Sequence, residues 1–170
     1  MEVFSFKTED NGMHLKKLDN SFYNNNSHLK EALDNVNGSW AKGKVRGYGV
    51  VVIDLDRLTF AIPLRSNIRH SAAYITVRSN NSGIKGKGLD FSKALIISKA
   101  SYISHLPFKI SPEEHKRLQD KEVHITKSFE KYVTKYIKAN AKADQNILRS
   151  IEYRFTTLIN YHLELGLSQG

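Results

Sequence analysis

The hydrophobic pattern of this chain changes period near residue 110, and that change constrains the fold more than any other feature. Before it, β-branched and apolar residues run together or alternate, as in Val50–Ile53 and in Leu58, Phe60 and Ile62. After it, apolar residues recur every three or four positions, which is typical of amphipathic helices. A sheet followed by helices that cover one of its faces predicts an α+β fold.

The β part predicts at least four antiparallel strands, at Lys44–Asp54, Leu58–Leu64, Ala73–Val77 and Ala94–Ile97. Pro63 cannot donate a ladder hydrogen bond, so we expect it at a sheet edge or at the end of its strand, with Arg65 to His70 in the loop beyond. The glycine-rich stretch Gly83–Gly88 is interpreted as a mobile basic hairpin tip. These elements favour a small curled antiparallel sheet or an SH3-like barrel.

Helices are predicted in three places, and Leu15, Leu18 and Phe22 also recur at helical spacing before them. Ser27 is a candidate N-cap for a short helical segment near the N-terminus, through Leu29, Leu33 and Val36. Ser111-Pro112-Glu113-Glu114 carries three helix-start signals and leads into a stripe at Phe129, Tyr132, Val133, Tyr136 and Ile137. A second long C-terminal helix is expected after Asp144, with Ile147, Leu148, Ile151, Phe155, Leu158 and Ile159 on its apolar face. The 170 residues contain no repeat or linker, so residues 1–170 are expected to form a single domain.

Composition favours a polyanionic partner. The chain contains twenty-six Lys and Arg residues and seventeen Asp and Glu residues, which gives a formal net charge of +9. The absence of cysteine excludes disulfides and thiolate zinc sites. No apolar run approaches the roughly 20 residues of a spanning helix, and the N-terminus has no secretory pattern, so we expect a cytoplasmic protein with a membrane as the weaker candidate partner.

The basic charge is concentrated in one stretch. From Arg57 to Leu89 the chain contains no Asp or Glu, and it is densest in cations between Pro63 and His70. Cations without neighbouring carboxylates keep their potential available for phosphates, so this stretch predicts a binding site for nucleic acid. Ser66 and His70 within it add groups capable of chemistry.

A second basic cluster precedes the first central strand. Alternation places Lys42, Lys44 and Arg46 on one face, and hairpins would bring them close to Arg65, Arg69, Lys85 and Lys87. The alternative is a solvated basic edge that discourages aggregation of sheets. Tyr48 beside this cluster is a candidate for stacking on bases or for packing in the core.

The residues argue against two classes of catalytic site. No G-x-S-x-G surrounds Ser66, which disfavours a serine hydrolase. The one close acid pair of the β region, Asp54 and Asp56, belongs to a predicted turn, and the seven histidines show no metal-ligand spacing, so neither a metal nor a cofactor is predicted. RNA can still be cut without metal, because its own 2′-hydroxyl attacks the adjacent phosphate with help from a base, cations and an acid.

The order of these features resembles one known family. Phe60–Ser66 looks like the strand ending in Pro-Leu-Thr/Ser-Ser of the ToxN/AbiQ-like endoribonuclease toxins, which belong to type III toxin-antitoxin, abortive-infection and phage-defence systems. Gly49–Val52 looks like the Gly-aliphatic strand that precedes it, and Gly88–Ala94 resembles a later segment more loosely. The resemblance implies an elaborated β-barrel with helices.

The same resemblance implies the reaction and the partners. Such a toxin cuts RNA without metal, leaving a 2′,3′-cyclic phosphate, and is inhibited by an RNA antitoxin of pseudoknotted repeats in a protein–RNA hetero-oligomer. The family's serine corresponds to Ser66, and Arg65 replaces its threonine. A family lysine falls on Ile68, so Arg69 is the nearest cation, and these departures point to a divergent, TenpN-like branch.

These considerations predict specific roles. Lys44 or Arg46, together with Arg69, would neutralise the scissile phosphate; Arg65 and Ser66 would position it, and His70 would carry a proton. Further RNA contacts are expected at Lys42, Tyr48, Arg78, Lys85, Lys87 and Lys93. A non-catalytic RNA- or DNA-binding module explains the charge and the basic loops equally well.

Overall fold

The computed structural model describes residues 13–40 and 49–167, which form a mixed α+β architecture. Its strands are β1 (Lys16–Leu18), β2 (Asn35–Val36), β3 (Ser39–Trp40), β4 (Val50–Leu55), β5 (Leu58–Ile68), β6 (Ala73–Arg78), β7 (Gly86–Asp90), β8 (Leu95–Ile96) and β9 (Ile103–Pro107). Its helices are α1 (Asn20–Asn25), α2 (Pro112–Leu118), α3 (Glu122–Ala141) and α4 (Gln145–Leu148).

Seven of the described strands form one antiparallel sheet. Its order is β6-β7-β5-β4-β1-β9, with β8 added along β5, while β2 and β3 pair separately. The order ends at β6 and at β9, so the described residues form an open sheet and no closed barrel. The predicted antiparallel sheet is therefore confirmed, and the SH3-like alternative is not.

Strand β5 connects the two halves of the sheet and is longer than predicted. It pairs with β4 from Leu58 to Pro63 and with β7 from Leu64 onward, so residues 65–68 belong to the strand and not to a loop. The register shifts between Arg65 and Ile68, where Asn67 has a φ of 56°. This irregularity sets the directions of the polar side chains at the end of β5.

Pro63 lies within this central strand, and the prediction that it marks an edge or an end is wrong. The amide of Leu64 donates to the Gly49 carbonyl at 2.8 Å, so the neighbouring Pro63 nitrogen faces the opposite edge of β5. There β8 pairs only with Phe60 and Ala61, and pairing with β7 starts at Leu64. The missing donor of proline therefore falls in a gap between two partner strands.

The glycine-rich stretch is partly strand, which corrects its interpretation as a hairpin tip. Gly86 and Gly88 lie in β7, where the backbone of β6 approaches closely. A Cβ atom on Gly88 would lie 2.1 Å from the Tyr74 carbonyl oxygen. Glycine is required here by the close approach of two backbones.

The predicted capping box and apolar stripe are both present, but in two separate helices. The Ser111 hydroxyl accepts from the Glu114 amide at 3.2 Å, and the Glu114 carboxylate accepts from the Ser111 amide at 3.4 Å. Helix α2 ends before Asp120, whose φ of 60° lies outside the helical region. Helix α3 then buries Phe129, whose ring centroid lies 5.0 Å from that of Phe60 in β5.

The second long C-terminal helix is not formed. After the single turn of α4 the chain runs through turns to a short 3-10 helix at Thr157–Asn160. The carbonyl of Glu152 accepts from the Tyr132 hydroxyl, and that of Phe155 accepts from Lys93 Nζ, both at 2.8 Å. Because side chains from other elements donate hydrogen bonds to these carbonyls, the segment is stabilised without continuous helical hydrogen bonds.

Of the two N-terminal stretches with helical spacing, the earlier one contains a helix, although Lys16–Leu18 within it form strand β1. Helix α1 begins after Asp19, whose carboxylate accepts from the Ser21 amide at 2.9 Å. The predicted helix after Ser27 is absent, because Glu31 and Asp34 both have a φ of 62°, which a right-handed helix cannot include. No helix in the described ranges is both long enough and apolar enough to cross a membrane.

Replacement of Gly88 by alanine is expected to lower the free energy of unfolding by about 2–3 kcal/mol, because the new methyl group must displace the Tyr74 carbonyl. Urea unfolding monitored by circular dichroism measures this loss.

Gly83→Ala provides the matched control. Gly83 has a φ of 81°, but its nearest potential contact is Arg69 Nη1 at 3.9 Å, so only backbone strain of about 1 kcal/mol is expected. Equal losses for the two variants would contradict the close approach of β6 and β7.

Candidate functional site

A buried carboxylate lies at the end of β7. Asp90 is fully buried and accepts hydrogen bonds from Ser92 Oγ at 2.6 Å, from the Ser92 amide at 3.0 Å, from His70 Nε2 at 3.1 Å and from Arg65 Nη1 at 3.0 Å. Burial raises the pKa of Asp90, but the hydrogen bonds from His70, Ser92 and Arg65 outweigh burial and hold the pKa below its usual value. Asp90 is therefore an ionised anchor for three side chains.

The hydrogen bonds of His70 specify its tautomer. The Ala72 amide donates to His70 Nδ1 at 3.1 Å, so Nδ1 carries no proton and Nε2 donates to Asp90. The side chain is 9% exposed, and both ring nitrogens are engaged within the protein. In this arrangement His70 positions the loop after β5, and neither nitrogen is available to a substrate.

Arg65 is anchored on one side and open on the other. Its Nη1 pairs with Asp90, yet 39% of its side chain is exposed. An arginine held at one nitrogen presents its remaining N–H donors in a defined orientation.

These side chains border a cleft of about 430 Å³, which we call the cationic cleft. It is lined by Glu31, Arg65, Asn67, Arg69, His70, Ser92, Lys93, Ile151, Arg154 and Phe155. Four of these residues are cations, while Glu31 is the one carboxylate of the lining. The cleft therefore favours an anion.

Lys93 joins three parts of the chain at this cleft. Its Nζ donates to the carbonyls of Glu31 and Phe155, each at 2.8 Å, while the Glu31 carboxylate lies 4.0 Å away. Burial lowers the pKa of Lys93, and the charges of Glu31 and Asp90 oppose that shift without cancelling it. Lys93 therefore connects these segments by hydrogen bonds and also lines the cleft.

Four of the predicted site residues come together here: Arg65, Arg69, His70 and Lys93. Ser66 is exposed on β5 but does not line the cationic cleft, although its neighbours Arg65 and Asn67 do. The predicted residues Lys42, Lys44, Arg46 and Tyr48 lie outside the described residues. Their expected meeting with the end of β5 therefore stays a prediction.

The hairpin that carries three other predicted RNA contacts adjoins the end of β5, where the Lys85 amide donates to the Ile68 carbonyl at 2.7 Å. Arg78 ends β6, Lys85 precedes β7, and Lys87 pairs with Glu114 of α2 at 2.9 Å. None of them lines the cationic cleft.

The expectation that the acid-free stretch leaves its cations unpaired is wrong for two of them. Arg65 and Lys87 pair with Asp90 and Glu114, which lie outside the stretch in sequence but beside it in space. Among the described residues, by contrast, Arg69 makes no salt bridge with a carboxylate. Tertiary pairing thus anchors Arg65 and leaves Arg69 exposed.

Sequence reasoning missed several members of the site. Arg154 and Phe155 belonged to a predicted helix, and Asp90 entered only through a loose resemblance. The available signal was that Asp90 is the first acid after the acid-free stretch and is followed two residues later by Ser92, a spacing typical of a side-chain cap.

The described residues contain no group of three or more His, Asp or Glu placed to hold a metal ion. No protein-family model, curated protein or solved structure matches the chain.

Asp90→Asn is expected to lower the free energy of unfolding by about 3 kcal/mol at neutral pH, because it leaves the buried donors of His70 and Ser92 without their charged acceptor. Asp56→Asn, at an exposed turn, is the control with an equal change of charge.

The same anchor predicts a dependence of stability on pH. Because folding lowers the pKa of Asp90, its contribution is present above the unfolded-state pKa and is lost as pH falls through the folded-state value. Urea titrations of the wild type between about pH 6 and pH 3 should show this loss, and the slope should be shallower for Asp90→Asn. Parallel curves would rule out Asp90 as an ionised anchor.

Proposed function

We propose that this protein is a metal-independent endoribonuclease that cuts RNA by 2′-hydroxyl attack and leaves a 2′,3′-cyclic phosphate. The observation that carries the proposal is the convergence of Arg65, Arg69, Lys93 and Arg154 on one cleft beside the end of β5. The resemblance to ToxN/AbiQ-like toxins rests on the same strand and supports the same reaction class.

The cleft supplies the electrostatic part of this reaction. Attack by the 2′-hydroxyl adds negative charge to the phosphate oxygens, and cations already in place stabilise that charge without reorganisation. Arg65 is held by Asp90, and Arg69 is exposed within the same lining. We assign to them the stabilisation of the developing charge.

Lys93 replaces His70 as the proposed proton acceptor. Lys93 Nζ donates to the carbonyls of Glu31 and Phe155, which leaves its third position unused by these two bonds. Once Lys93 has lost its proton, that position carries a lone pair. The lone pair would then serve the substrate hydroxyl. Burial, which lowers the pKa of Lys93, supports this role.

We further propose that a structured RNA of short pseudoknotted repeats inhibits the enzyme in a cytoplasmic protein–RNA assembly. The cationic cleft is suited to an inhibitor of the same chemistry as the substrate. Tandem repeats in the DNA upstream of the gene would support such an RNA.

One observation favours a second candidate, a non-catalytic RNA-binding module. His70, the histidine of the cleft, has both nitrogens engaged within the protein. A site without an available base would bind phosphates and leave the RNA intact.

Arg69→Ala is expected to reduce cleavage of a random-sequence single-stranded RNA pool by about 100-fold or more in EDTA, because it removes one donor to the transition state. Affinity should fall only several-fold. Arg57→Ala removes the same charge from an exposed turn and should leave the rate unchanged.

Two further readouts separate the candidates. Cleavage should stop when the RNA is replaced by 2′-fluoro RNA, and the rate should rise with pH as Lys93 loses its proton. Wild-type protein that binds RNA but leaves it full-length at every concentration would establish the non-catalytic alternative.

A further inference from the structure

An exposed aromatic ring borders the cationic cleft. Phe155 is 54% exposed, and among the large exposed hydrophobic residues of the described chain it is the one aromatic. Ile151, 45% exposed, lines the same cleft. Single exposed aliphatic residues are normal on protein surfaces, but an aromatic ring beside four cations calls for a physical explanation.

The backbone that carries this ring is firmly held. The Phe155 carbonyl accepts from Lys93 Nζ at 2.8 Å. The next residue, Thr156, is buried, and its hydroxyl accepts from the Leu158 amide at 3.2 Å to cap the following 3-10 helix. The ring of Phe155 is therefore exposed, while the backbone that carries it is held in place.

The surroundings of Phe155 specify the chemistry of its partner. The Arg154 guanidinium lies over the Phe155 ring, 5.0 Å from its centroid, and Arg65, Arg69 and Lys93 line the same cleft. A partner that is flat and apolar on one part and anionic on the other matches both features. A nucleotide has this combination, since its base stacks on aromatic rings and its phosphate pairs with arginine.

We propose that Phe155, with Ile151 beside it, is a stacking platform for an unpaired nucleobase whose phosphate occupies the cationic cleft. This assignment rests on the proposed function and narrows it to single-stranded RNA, because bases in a duplex are stacked on each other and do not offer a face. Base–aromatic stacking is tolerant of sequence, so the platform positions the strand and does not select a base.

Binding of two uncleavable oligomers tests the platform. One is an eight-nucleotide single strand of 2′-fluoro RNA, and the other is an abasic sugar–phosphate oligomer of equal length and charge. Phe155→Ala should weaken binding of the first by about 5- to 150-fold, the factor that corresponds to the loss of one base–aromatic stack. Binding of the abasic oligomer should change less than about twofold, because its contacts are electrostatic.

Two variants control for other effects of the substitution. Phe155→Trp keeps a flat ring and should retain affinity for the 2′-fluoro strand. Leu106→Ala removes an apolar side chain that is 64% exposed and does not line the cleft, so it should change neither affinity.

Other results of the binding measurements would contradict the platform or the proposed function. An equal loss of affinity for both oligomers would show that Phe155 supports the cleft and does not bind a base. No loss of affinity for either would show that the ring makes no contact with the strand. Either result would overturn the stacking platform and leave the proposal of RNA binding intact. Wild-type protein that binds neither oligomer at low salt would overturn the proposed function itself.

Discussion

The arrangement of the cationic cleft depends on one buried carboxylate. Asp90 holds Arg65 at the end of β5 and His70 in the loop beyond it. Its bonds to Ser92 cap a short 3-10 helix, Phe91–Lys93, which carries Lys93. Lys93 in turn holds the carbonyls of residues 31 and 155. Segments far apart in sequence thus meet at two linked charges, Asp90 and Lys93. Asp90 remains ionised because Arg65, His70 and Ser92 all donate hydrogen bonds to it.

This arrangement gives the cations different tasks. Arg65 loses part of its potential to Asp90 but gains a defined orientation, whereas Arg69 is exposed and makes no salt bridge with a carboxylate of the described chain. In the proposed reaction, the oriented donors of Arg65 and the exposed charge of Arg69 would both stabilise charge on the phosphate. His70, by contrast, is committed to structure, which moves the proposed proton transfer to Lys93.

Local sequence signals were sufficient to predict some of the helices and strands. The capping box at Ser111, the stripe around Phe129 and the strand at Ala73 were predicted because short-range hydrogen bonds and periodic burial specify them. The extension of β5 past Pro63 was missed because it depends on where two partner strands end. For the site, Arg65, Arg69, His70 and Lys93 were predicted from charge, but Arg154 and Phe155 were not, because their segment follows a helical pattern that tertiary hydrogen bonds override.

By itself the sequence determined the α+β character, the basic charge and the concentration of cations between Arg57 and Leu89, because hydrophobic period and composition are properties of the chain alone. Tertiary structure decided which of those cations stay exposed, since their acidic partners Asp90 and Glu114 lie outside the stretch and reach it only through strand and helix packing. It also placed Phe155 at the cleft, because the donor that holds its backbone, Lys93, lies on a distant element.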